Sequence, residues 1–387
     1  MRALVVSGQW SPKQGYHLSE DERLGKFARC GSQAWKNTVF EIKDVPTPDP
    51  KDDEVLIRVK MCGICGSDVH LHEIDKEGYI LFSGQTKLPR IIGHEFSGIV
   101  EKTGNRVSNL KKGDKVAAES IMWCGICHAC LSGAPNQCNR VELLGLSVDG
   151  ALAEYVSIKE KYCWNINGLS SAYDEGGVFD AGALIEPIGC AYNGIFISAG
   201  GFNPGATAVV YGAGPIGLGA VALLRICGAS LIIVFDQINE RLQIAKDMGA
   251  DYTFNILKMN NSGLGDKVME LTGRMGADIQ VEAAGAAHAT IPEMEKSLSG
   301  RGKIIYLGRS ATTTPVNLDT FVSGANAIFG ARGHSGYGIY PNIIKLMASG
   351  RLKPGAMITA KYPFNSVLDA FKASIRRTDG KILIEMT

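Results

Sequence analysis

At 387 residues the chain is long enough for two domains, each with a core of its own. Hydrophobic residues make up 45% and charged residues 20%, and 40 Lys and Arg stand against 39 Asp and Glu. This near-neutral mix, with no basic stripe, no charge block and no long apolar run, argues against a nucleic-acid partner, a disordered tail or a membrane span.

The first half reads as short strands over residues 2–6, 54–60, 99–103, 114–118 and 154–158, each bounded by Gly, Asp, Asn or Pro. They predict a small, strongly bent β-rich unit. Residues 1–10 show no long apolar segment with a cleavage site after it, so a cytoplasmic location is expected. Stretches 8–38, 73–90 and 163–180 look like insertions that shape a site or cover an oligomer contact.

Six of the ten cysteines lie between Cys62 and Cys138. A disulfide framework would need an oxidising compartment, so metal ligation is the expectation. Cys62-Gly-Ile-Cys65-Gly-Ser-Asp68-Val-His70 and Gly93-His94-Glu95 carry one candidate set, with a further carboxylate at Glu186. One thiolate, one imidazole and one carboxylate from these segments, with a fourth position open, suit a catalytic zinc. Cys124, Cys127, Cys130 and Cys138 follow the form C-x2-C-x2-C-x7-C. Four thiolates so close in sequence can shut a tetrahedral zinc site with no place for water. An iron–sulfur cluster accepts the same set, and the short last loop favours zinc. His128 is expected to face solvent, and Cys30, Cys62, Cys163 and Cys227 read as packing residues.

The pattern changes near residue 205. Val209–Tyr211 reads as a buried strand and 214–227 as a helix, with a second strand over 231–235 and a second helix through Leu242, Ala245 and Met248. Strands at 278–282 and 303–307 continue the alternation, which predicts a doubly wound parallel sheet. Gly212-Ala213-Gly214-Pro215-Ile216-Gly217 joins the first strand to the first helix. In that place Gly212 makes the turn, Gly214 lets the backbone approach a pyrophosphate, and Gly217 lets helix and strand pack closely. Asp236 ends the next strand, where a carboxylate binds ribose hydroxyls and repels a 2′-phosphate, so NAD is expected over NADP. Arg241 either caps the same ribose or is a solvated helix residue. A helix over 341–349 and a strand over 382–385 pack back on one of the units.

These motifs together resemble the zinc-containing medium-chain dehydrogenase/reductase family, of alcohol and polyol dehydrogenase type, over essentially the whole chain. The resemblance implies an α/β protein with a GroES-like β-rich catalytic domain and a Rossmann domain. The implied division is 1–190 for the catalytic domain with its structural zinc lobe, 191–334 for NAD binding, and 335–387 for a return to the catalytic domain. It implies two zinc ions per chain, catalytic and structural, and NAD. By the same resemblance Cys65 and His94 match the first two catalytic ligands, and Glu186 falls where polyol dehydrogenases place a glutamate. Glu95 matches an acidic neighbour that can exchange onto the metal. Ser67 and His70 match the hydroxyl and imidazole of a proton relay, and Asp68 would orient a metal-bound group from behind. Residues 77–81, 148–155, 333–336 and 346–350 resemble inosose and other cyclitol dehydrogenases. The implied reaction interconverts a ring hydroxyl and a ketone of a cyclitol; sorbitol-like polyols or L-threonine are the alternative. His334 and Ser335 are expected hydroxyl-binding groups. A homodimer or homotetramer is implied, with residues 326–330 as its edge.

Overall fold

The computed structural model describes residues 1–259, 263–309 and 313–386. It divides into two compact units, one of Met1–Glu186 with Ala360–Arg376 and the stretch from Ile382, the other of Pro187–Thr359 with Arg377–Lys381. Among the described residues no helix is long and apolar enough to cross a membrane.

The first unit holds β1 (Arg2–Trp10), β2 (Trp35–Asp44), β3 (Glu54–Gly63), β4 (Arg90–Ile91), β5 (Glu95–Thr103), β6 (Lys115–Ala118), β7 (Ile121–Met122), β8 (Glu142–Leu143), β9 (Tyr155–Lys159) and β10 (Cys163–Asn165). The second begins with β11 (Thr207–Tyr211), β12 (Leu231–Asp236), β13 (Tyr252–Asn255), β14 (Ala277–Glu282), β15 (Leu298–Tyr306) and β16 (Ala327–Gly330). Two last strands, β17 (Ile358–Pro363) and β18 (Lys381–Glu385), join the sheet of the first unit, in the order β10-β6-β5-β3-β18-β17 with β9 also on β3. β18 is buried along Lys381–Ile384, as befits an interior strand between β3 and β17. Around this sheet pack Val55, Ile57, Val59, Phe96, Val100, Phe371 and Ile384.

The register of β3 and β5 places the chemistry. They are antiparallel, with Gly63 opposite Glu95. Cys65, two residues past the end of β3, and His94, one residue before β5, therefore meet at the same end of the sheet. Gly93 makes the entry with φ +90°, and a Cβ there would lie 2.7 Å from Leu152 Cγ, so only glycine fits.

The second unit carries a six-stranded sheet, β13-β12-β11-β14-β15-β16, in which every pairing is parallel. Its central strands read Ala-Val-Val-Tyr and Ile-Ile-Val-Phe without alternation, because helices cover both faces.

Two of the three expected insertions join into one structure. Ala28 and Thr86 exchange backbone hydrogen bonds at 2.9 Å, Trp35 Nε1 donates to the Thr86 carbonyl, and Lys13 pairs with Asp75 at 2.9 Å. The amides of Leu81 and Phe82 then donate to the carbonyl of His70, tying this lobe to the helix Gly66–His72. The third expectation needs correction. Residues 163–180 are not a plain loop: they include β10 and most of the helix Glu175–Ala183, capped by Asp174. Glycine there marks close packing, since a Cβ on Gly182 would sit 2.7 Å from that of Ser97.

Candidate functional site

Cys65, His94 and Glu95 each bring one donor atom to a common point, all within 4.8 Å of one another. His94 and Glu95 are almost wholly buried, at 5% and 1% exposure. Cys65 caps the start of the helix Gly66–His72, and the fully buried Asp68 fixes that start by accepting from the Cys65 amide at 3.0 Å. The other oxygen of Asp68 stands 3.5 Å from His94 Nδ1. That contact is long, and neither atom has a shorter partner among the described residues. Burial alone would push the His94 imidazole down, but the charges of Asp68 and Cys65 hold it well above the ordinary histidine range. A cation at Nε2 would meet the same need, fixing the proton on Nδ1 toward Asp68. One soft thiolate, one oriented imidazole and one carboxylate fit zinc with an open position.

Ser67 and His70 share one face of this helix, three residues apart. Ser67 Oγ lies 3.3 Å from His94 Nε2, and His70, half-exposed, approaches Glu73 at 3.7 Å. Glu186 is outside the three-donor set. It stands in the first turn of the helix Ile185–Tyr192, and its Oε1 accepts from Ser120 Oγ at 2.9 Å. Ser120 lies two residues past the end of β6, which pairs antiparallel with β5. The structure therefore gathers Glu95 with Cys65 and His94, and holds Glu186 on a serine that sequence reasoning passed over.

Cys124, Cys127, Cys130 and Cys138 form the second donor group, again within 4.8 Å, and all are free thiols. Backbone amides point at the sulfurs: Ile126 at Cys124, and Cys124 and Arg140 at Cys138, at 3.3–3.5 Å. Amides of Cys130 and Asn139 lower the Cys127 thiol to about 6, whereas burial pushes Cys130 up to about 12. One sulfur thus favours the thiolate and its neighbour resists it, a frustration that a bound cation removes. Lys161 lies over the Trp123 and Tyr162 rings at 4.3 and 4.9 Å and donates to the Trp123 carbonyl, closing the base of the lobe.

In the second unit the glycine loop has the form its spacing predicts. Gly212 takes φ +95° and leaves no room for a Cβ, which would meet Ala284 N at 2.7 Å. A Cβ on Gly217 would strike the Gly212 carbonyl at 1.8 Å. Gly214 is different: its Cβ would meet nothing closer than Arg241 Nη1 at 3.8 Å. The space above Gly214 is open, as a pyrophosphate requires, and Pro215 and Ile216 begin the helix Pro215–Ile226 that points its amides there. Asp236 ends β12 and accepts from the amides of Ala213 at 2.6 Å and Ile238 at 2.8 Å. Arg241 is no solvated helix residue. Its Nε donates to the Asp379 carbonyl at 2.8 Å; burial presses its pKa down while Asp236 presses it back up. His334 and Ser335, expected to bind hydroxyls, are fully buried, with His334 against the Tyr340 ring and its Cβ filling the space over Gly189.

Comparison with known proteins points the same way. Residues 51–168 match the alcohol dehydrogenase GroES-like domain, and residues 215–349 match the zinc-binding dehydrogenase domain. The chain is 39% identical over 361 residues to scyllo-inosose 3-dehydrogenase of Thermotoga maritima, spanning 90% of this chain and 91% of that protein. A solved Thermotoga maritima structure of alcohol dehydrogenase type superposes with a TM-score of 0.95 at 34% identity, covering 99% of each chain. An Escherichia coli CFT073 alcohol dehydrogenase (rspB), solved with NADH, matches with a TM-score of 0.79 at 27% identity, covering 100% of this chain and 99% of that one.

Proposed function

The chain belongs to the zinc-containing medium-chain dehydrogenase/reductase family and is an oxidoreductase acting on CH–OH groups, and on that premise we propose that it is an NAD-linked dehydrogenase of cyclitols. The observation that carries the reading is the convergence of Cys65, His94 and Glu95 on one point beside the helix that bears Ser67 and His70. When bound, zinc supplies Lewis acidity to the substrate oxygen and NAD supplies the hydride acceptor.

The residues divide the remaining work. Cys65, His94 and Glu95 hold the metal, and Asp68 keeps the His94 ring turned toward it. Ser67 takes the proton of the substrate hydroxyl as it gives up its own toward the His70 imidazole, and His70, one helical turn further and open to water, releases a proton to solvent. Glu186, held by Ser120, is the second carboxylate available to the same centre. The similarity to scyllo-inosose 3-dehydrogenase supports a cyclitol ring as the substrate. Turnover of inositols, inososes, aminocyclitols, sorbitol and L-threonine with NAD tests this. A cyclitol or its ketone should have the highest kcat/KM, and turnover of sorbitol or threonine alone would remove the cyclitol reading.

Coenzyme choice rests on Asp236. A 2′-phosphate would meet its carboxylate at the end of β12, so NAD is preferred. Asp236→Ser is expected to shift the NAD:NADP ratio of kcat/KM toward NADP by roughly ten- to a hundredfold, the worth of about 1.5–3 kcal/mol for a hydrogen bond to a charged group. Asp236 also steadies the glycine loop through Ala213, so the ratio and not the absolute rate is the readout. An unchanged ratio would show that another residue reads the ribose.

A further inference from the structure

The parallel sheet of the second unit sends all its carboxyl ends to one edge, where the loops after β11, β12, β14, β15 and β16 form a rim. Asp236 on β12 marks the adenosine side of a dinucleotide that crosses at the glycine loop after β11. Its other half then extends over β14, β15 and β16, along the loops that begin at Leu307 and Ala331.

Both of those loops are set from behind by one piece of helix. The helix Ile185–Tyr192 widens into a π-helical segment, Asn193–Ser198. Such segments are rare and recur at functional positions. Asn193, 1% exposed, donates through Nδ2 to the carbonyls of Arg332 at 3.1 Å and Gly333 at 2.8 Å. Its Oδ1 is buried with no partner among the described residues, so the carboxamide is held by these two bonds. The next residue, Gly194, lets the helix approach the other loop: a Cβ there would lie 2.7 Å from Leu307 Cδ2 and 2.8 Å from Ile305 Cγ2. The far end is anchored by Lys303 Nζ, which donates to the carbonyls of Ala199 at 2.7 Å and Gly201 at 2.9 Å.

We propose that Asn193 is a positioning residue for the nicotinamide half of the cofactor, fixing the 332–333 carbonyls and with them the rim on that side. The proposal rests on the reading of this unit as a dinucleotide site. It is tested by titrating NADH and ADP-ribose, which lacks the nicotinamide, into the wild type, Asn193→Ala and the isosteric Asn193→Asp. Removing the amide that holds the carbonyls of Arg332 and Gly333 together should raise the Kd for NADH at least about tenfold. The Kd for ADP-ribose should stay within about twofold, because Asp236 and the glycine loop are untouched. Gly194→Ala, which displaces Leu307, should show the same split and serves if the Asn193 variants fail to fold. Equal weakening of both ligands, or unchanged NADH binding, overturns the proposal. Wild-type protein that binds neither ligand would overturn the dinucleotide reading itself, a separate failure.

Discussion

Replacing Cys65 by alanine is expected to lower kcat at least about a thousandfold while leaving NADH binding intact. Lewis-acid stabilisation by a bound metal supplies several kcal/mol to the transition state, and each 1.36 kcal/mol is a factor of ten. The substitution should not disturb the fold. The cap of the helix Gly66–His72 that Asp68 makes runs to the backbone amide of Cys65, not to its sulfur, so it survives the loss of the side chain. NADH fluorescence titration against steady-state turnover separates the two effects. Retention of more than about a tenth of the wild-type rate would remove Cys65 from the metal site.

The second large effect is on the four-cysteine lobe. Cys127→Ser, or prolonged chelation, is expected to open residues 121–143 to proteolysis while wild-type protein stays intact there. The lobe has little core of its own, with only Ile121, Cys127, Cys138 and Val141 in its buried cluster. Burying an apolar side chain contributes about 1.5–3 kcal/mol, whereas ordering each residue's backbone costs about 1–2 kcal/mol. Four such side chains fall well short of holding a loop of that length, and a structural zinc, worth about 10 kcal/mol or more in small metal-folded peptides, makes up a large part of the difference. The midpoint of thermal unfolding should fall by several degrees as well. Identical cleavage patterns before and after zinc removal would mean that the lobe stands without metal.

Sequence alone carried much of this, for local reasons. The glycine loop was legible because each glycine answers a constraint within a few residues of itself or from the adjoining strand: Gly212 by its φ of +95°, Gly217 by a carbonyl 1.8 Å from where its Cβ would be. The four-cysteine lobe was legible because all its donors lie in one short segment. The switch from short turn-bounded strands to continuous apolar strands and helices near residue 205 was visible for the same reason.

What was hidden depends on contacts made far along the chain. Glu95 and Glu186 are equal as residue types; only the facing of Gly63 and Glu95 across β3 and β5, and the hydroxyl of Ser120, separate their places. The helix Glu175–Ala183 was masked by glycines that serve packing against Ser97. His334 and Ser335 were polar enough to look like substrate contacts, and nothing local betrays that both are buried, His334 against Tyr340 and Gly189. Asn193 carries no sequence signal, because its meaning comes from the carbonyls of residues 332 and 333.

The central claim is a metal centre on Cys65, His94 and Glu95, distinct from the cysteine lobe. Diffraction data collected at the zinc absorption edge test it most directly. Two anomalous peaks per chain are expected, one among the four cysteine sulfurs and one within about 2.0–2.3 Å of Cys65 Sγ and His94 Nε2. A single peak, confined to the lobe, would contradict it.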